Sequence, residues 1–131
     1  MKEKISNAIE RLIHLPIDFH TNGHVSEVAL LKASGYFELH NQITEDKIIE
    51  ILKVHPHVIA EWLQWSEDNR SSNRWGFSRG DNGKCSVGHW PEGKEFEEIN
   101  TNDEFYACAA FIKREAESTR ILFEKKTDSI P

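Results

Sequence analysis

The sequence predicts an α+β protein with N-terminal helices, a three-stranded antiparallel β-meander, and a long C-terminal helix packed on the sheet. Three observations carry this. Apolar residues recur at helical spacing up to Ser71. From Trp75 to about Ile99 large and small residues alternate around a Gly80-Asp81-Asn82-Gly83 turn. After Thr101 the helical period returns behind a capping signature. With 131 residues and no repeat, linker or low-complexity tract, the chain is expected to form one domain over 1–131. Residues 1–70 should be mainly helical, 75–99 the meander, 101–123 the C-terminal helix, and 124–131 a frayed polar tail.

Lys2 to Ile13 places Ile5, Ala8, Ile9, Leu12 and Ile13 on one helical face, and Pro16 should end that segment. Leu15-Pro16-Ile17-Asp18-Phe19 then reads as a loop with apolar anchors, and Asn22-Gly23 as a turn. Ser26 can cap a short helix through Ala33 that stops at Gly35. Thr44 caps the next, with Glu45 and Asp46 where the helix dipole favours acids. His55-Pro56 breaks it, and Pro56 suits the first position of a new helix whose stripe is Val58, Ile59, Trp62, Leu63 and Ser66. Trp65 falls off that stripe, towards a second surface.

Trp75 to Arg79 and Lys84 to Trp90 form a hairpin, and Lys94 to Ile99 adds a more polar third strand with Phe96 inward. Such a meander is marginal alone. Thr101-Asn102-Asp103-Glu104 is a capping box opening the longest helix, whose face of Phe105, Cys108, Ala109, Ile112 and Ala116 should cover the sheet.

Charged residues make up 29% and apolar residues 38%, a folding rather than a disordered composition. No apolar run approaches the roughly 20 residues of a membrane helix, and the charged start lacks the pattern of a secretory signal. Cys85 and Cys108 are therefore expected as free, inert thiols of a reducing cytoplasm. A net charge of −6, from 16 basic and 22 acidic side chains, argues against broad nucleic-acid binding, which needs a positive surface.

Catalytic and metal signatures are wanting. His20 and His24 have the spacing of a helical ligand pair, but Asn22-Gly23 lies between them, and His55 and His57 flank a proline. No cysteine pair has finger spacing. Cys85 and His89, four apart on one strand, would lie roughly 13 Å from each other, too far for proton transfer. Gly80-Asp81-Asn82-Gly83-Lys84 joins two strands and so is no phosphate loop. Glu97-Glu98 and Asp103-Glu104 lie in no apolar setting that would raise a pKa. No catalytic residue, metal or cofactor is expected, and binding to another macromolecule is the remaining reading.

Two features suit binding. Trp62 to Phe77 concentrates Trp, Arg, Asp and Asn, the residue types of interface hot spots. Residues 61–104 hold five basic and ten acidic side chains, hence −5 of the whole −6. The acids gather in Glu92, Glu95, Glu97, Glu98, Asp103 and Glu104, a field that can steer a basic partner.

Leu31-Lys32-Ala33-Ser34-Gly35-Tyr36, His55-Pro56, Trp62 to Arg70, Trp75-Gly76-Phe77 and Ala107 to Glu115 together resemble small bacterial immunity proteins, which are encoded beside polymorphic or contact-dependent-inhibition toxins. The resemblance spans about residues 30–117. It implies a cytoplasmic protein that binds a cognate toxin domain and occludes its active site or substrate groove. Many such toxins are nucleases with basic grooves, against which an acidic face would compete with nucleic acid. On that reading the partner-binding residues are Trp65, Asp68, Arg70, Arg74, Trp90 and the six acids from Glu92 to Glu104. Trp65, Arg70, Arg74 and Trp90 would act as desolvated anchors that slow dissociation. The partner is a protein, with no direct contact to nucleic acid or membrane. A regulatory or adaptor domain, and a small enzyme with an unfamiliar site, are the alternatives.

Overall fold

The computed structural model describes residues 2–21, 23, 25–69, 74–90 and 98–128. Among them are α1 (Lys2–Ile13), α2 (Leu15–Thr21), α3 (Glu27–Ser34), α4 (Tyr36–Leu39), α5 (Glu45–Val54) and α6 (Val58–Asp68). The strands β1 (Arg74–Arg79), β2 (Cys85–Trp90) and β3 (Ile99–Thr101) follow, and α7 (Glu104–Asp128) completes the chain order. This is the expected α+β architecture, with the long last helix on an antiparallel sheet of order β1-β2-β3. No described helix is long and apolar enough to cross a membrane.

The periodic face of α1 is buried as its spacing requires: Ala8, Ile9, Leu12 and Ile13 are all in the core. The stretch expected as a loop after Ile13 is instead the helix α2. α1 ends at Ile13 as expected, and Pro16 sits in the first turn of α2, where a missing N–H costs nothing, so it also opens a helix. That difference decides the fate of Trp65. Phe19 of α2 meets its ring edge-on, centroids 5.0 Å apart, and with Trp62 on the other side Trp65 becomes a core residue.

The caps expected for the middle helices are present. Ser26 Oγ accepts from Ala29 N (3.1 Å), and Thr44 Oγ1 from Lys47 N (3.3 Å). Gly35 closes α3 at φ 93°, a left-handed conformation in which a side chain would be strained, and α4 starts on its far side. Pro56 lies in the turn before α6, not at its first position, so α6 begins two residues later, at Val58.

In the hairpin, Trp75 opposes His89, Phe77 opposes Val87 and Arg79 opposes Cys85. Gly80 N donates to Lys84 O (2.9 Å) and Gly83 N to Gly80 O (3.0 Å), so the glycine-rich turn holds the two strands as its composition demands. On the free side of β1, Phe77 N donates to Ser66 Oγ of α6 (2.8 Å). The described third strand comprises Ile99–Thr101, with Ile99 opposite Val87, and so runs two residues past its expected end, while Lys94 to Glu97 of the expected strand lie outside the described residues.

Because Thr101 belongs to β3, it cannot cap α7. Asp103 does so, its Oδ1 accepting from Phe105 N and Tyr106 N (3.1 Å each), while Thr101 Oγ1 accepts from Asp103 N (3.1 Å). The helix then runs to Asp128, past the expected end at 123. Its buried surface is wider than one stripe: residues 107–112 are all buried, and Phe111 stacks on Phe77 (5.6 Å) while meeting Trp62 edge-on (5.9 Å).

The two core tryptophans differ in how their polar edge is treated. Trp62 Nε1 donates to Ile13 O (2.9 Å), tying α6 to the end of α1. Trp65 Nε1 is buried and finds no acceptor among the described residues. An unpaired buried donor is a standing cost, whereas removing the donor of a made bond strands its acceptor. Trp62→Phe should therefore destabilise the protein by about 2–4 kcal/mol, and Trp65→Phe by at least about 1 kcal/mol less. Urea unfolding midpoints at matched m-values measure the difference.

Candidate functional site

The residues expected at a partner surface are dispersed in role. Trp65 is in the core. Asp68 is exposed at the end of α6 and accepts from Gln64 Nε2 (2.8 Å). Arg70, Glu92, Glu95 and Glu97 lie outside the described residues; Trp90 pairs with Arg74 through its backbone in β2. Glu98 is exposed beside β2 near Gly88. Asp103 is exposed and caps α7. Glu104 is engaged by Arg79 of β1 across 2.9 Å, so its charge is matched within the molecule.

Arg74 turns inward, and it leads to the most constructed polar site among the described residues. Its Nη2 lies 2.6 Å from Glu115 Oε1 of α7 and 3.3 Å from Glu27 Oε1 at the start of α3. Thr119 Oγ1, one turn beyond Glu115, donates to Glu27 Oε2 (3.3 Å). Glu115 is only 5% exposed, a charge that could not be buried without the guanidinium beside it. The three form the floor of an open cleft of about 270 Å³, walled by Val28, Leu122 and Phe123.

Burial and the neighbouring Glu115 charge push the Glu27 carboxyl up to about 7, against the pull of Arg74. One guanidinium thus lies between two carboxylates. None of this was legible as a site. Glu115 stands four residues beyond Phe111 on the buried face of α7, and an acid on an apolar stripe must find a basic partner. That signal was available; the partner's identity was not.

A second group, His14, His55 and His57, gathers where α1 meets the start of α6, with ring centroids 5.1, 5.9 and 6.1 Å apart. His14 Nδ1 lies 2.6 Å from Glu10 O, and His55 Nε2 lies 3.7 Å from Glu10 Oε1. Among the described residues no three His, Cys, Asp or Glu side chains are placed to hold a metal ion. Both thiols are free and buried, and burial raises the pKa of each, so neither is poised as a nucleophile.

No protein-family model matches the chain, and no curated protein or solved structure is similar to it. The likeness to immunity proteins accordingly rests on the sequence motifs alone.

The Glu27 carboxyl fixes a sign for the pH dependence of stability. Its ordinary value is 4.5 and its folded value about 7, so between these the folded state binds more protons than the unfolded chain. Stability should fall by on the order of 3 kcal/mol as pH rises from 4.5 through 7, the loss from this group levelling off only near pH 8. Chemical unfolding at pH 5, 6, 7 and 8 should show the decline, and Glu27→Gln should flatten it.

Proposed function

We propose that this protein is an immunity-type inhibitor, which binds and neutralises a cognate bacterial toxin domain in the cytoplasm by covering its active site or substrate groove. The toxin activity it opposes is that of a nuclease. The observation that carries the reading is the charge imbalance: residues 61–104 account for −5 of the net −6. A nuclease groove is basic because it must hold phosphates, and an acidic protein face is complementary to it.

The geometry adds a surface that suits such contact. Ser78, Ser86 and Asn100 stand in register across the three strands, with Ser86 Oγ 2.8 Å from Asn100 Oδ1. They lie on the face opposite buried Phe77, Cys85 and Val87, and their short side chains let a partner approach the sheet closely. Exposed Glu98 and Asp103 border that face. Occlusion rather than catalysis is the mode of action, in keeping with thiols buried out of reach of any substrate.

Co-expression with the toxin domain encoded beside it should rescue growth, and the purified pair should form a stable complex. Glu95→Lys, Glu97→Lys and Glu98→Lys together should slow association about tenfold at low salt and flatten its salt dependence. Absence of rescue would overturn the inhibitor reading; unchanged association of the triple variant would overturn the acidic-face form of it.

A further inference from the structure

We infer that the cleft between α3, the start of β1 and α7 is the seat of one arginine or lysine side chain of the protein partner, its cationic head against Glu27 and its aliphatic stem along Val28, Leu122 and Phe123. This rests on the inhibitor reading for the identity of the partner, and on the cleft itself for the chemistry.

The argument begins with unequal bonds. Arg74 is committed to Glu115 at 2.6 Å, whereas both contacts to Glu27, from Arg74 and from Thr119, are long at 3.3 Å. Glu27 is thus the under-held carboxylate of the floor. With every group ionised, two carboxylates face one guanidinium at the floor, which leaves an excess negative charge there, while Lys32 stands outside it on the Phe123 wall. An anion is disfavoured at the floor, because Arg74, the cation there among the described residues, already lies between two acids. A cation arriving at Glu27 replaces the proton that this carboxyl holds near neutrality, so binding releases protons.

The walls select the shape of the ligand. Leu122 is 60% exposed at the rim, a large apolar side chain left in water. Lys32 already places its Nζ 3.9 Å from the Phe123 ring centroid, so that ring is one against which a cation rests. At about 270 Å³ the cleft falls below the roughly 300–1,000 Å³ of sites for drug-sized ligands, and matches a single side chain. Long basic side chains lay an apolar stem on such walls while the head finds its counter-charge.

The chemistry can be tested without the partner, using n-butylguanidinium as the probe and butyrate and n-butanol as controls. Amide resonances of residues 115–123 should shift saturably with n-butylguanidinium, with a Kd in the millimolar range, which is on the order of 4 kcal/mol. Butyrate and butanol should leave them in place. Glu27→Gln should weaken the probe at least tenfold. Leu122→Ala, at an exposed site that does not threaten the fold, should weaken it two- to fivefold. Calorimetry at pH 7 in buffers of different ionisation enthalpy should show proton release in the parent and none in Glu27→Gln. No shift up to 50 mM, or an equal response to butanol or butyrate, would sink the cleft as a cation seat whatever the toxin does. In the complex, Glu27→Gln should speed dissociation at least tenfold with association unchanged. Should the probe bind while dissociation from the toxin stays as in the parent, the cleft takes cations but not the partner's side chain, and the inference fails as stated.

Discussion

Six consecutive buried residues in a helix span more than one and a half turns, so no side of that helix is left for water. Residues 107–112 of α7 impose this condition, and most of the molecule is arranged to meet it. The sheet covers one side, and α5, α6 and α3 cover the others. Four of the six are Ala or Cys, which lets the neighbouring elements come close, while Phe111 and Ile112 fill the remaining space. Where polar groups follow in the next turns, they must find partners inside the protein. Lys113 donates to His40 O (2.7 Å), Arg114 reaches Glu45 (2.9 Å) and crosses the Trp75 ring, and Glu115 takes Arg74. Glu117, one turn on, accepts from the hydroxyl of fully buried Tyr36 and pairs with Arg120.

The same condition explains why the polar cleft exists where it does. Past Ala116 the covering elements run out and α7 emerges towards solvent, with Ile121 and Leu122 exposed. Glu115 lies at that boundary, deep enough to need a counter-ion and shallow enough for a second carboxylate to share it. A buried ion pair adds little net stability once desolvation is counted. It ties β1 to α7 and α3.

How far these features were legible depends on the range of the interactions that make them. Caps and turns are local: Ser26, Gly35, Thr44 and Gly80-Asp81-Asn82-Gly83 act within four residues, and each was readable from its neighbours. Pro16 was ambiguous because the same ring that stops one helix opens another, and only the packing of Leu15 and Phe19 decides between them. Thr101 looked like a cap by spacing, but strand pairing with Cys85 claimed it first. Trp65 and Arg74 were read as surface anchors from residue type, yet both are taken up by partners distant in sequence, Phe19 and Glu115. The cleft joins residues 27, 74 and 115, contacts between segments about 40 residues apart, and no periodicity records such a meeting.

The bond from Phe77 N to Ser66 Oγ bears on how the protein behaves among its own copies. A sheet margin with open amides invites another chain to extend it, and crowded cells penalise such margins. Here a serine hydroxyl occupies the middle of the long β1 margin, and α6 lies along it. Among the described residues the opposite margin is the short strand β3. A single hydroxyl thereby closes an amide that another chain could have paired with.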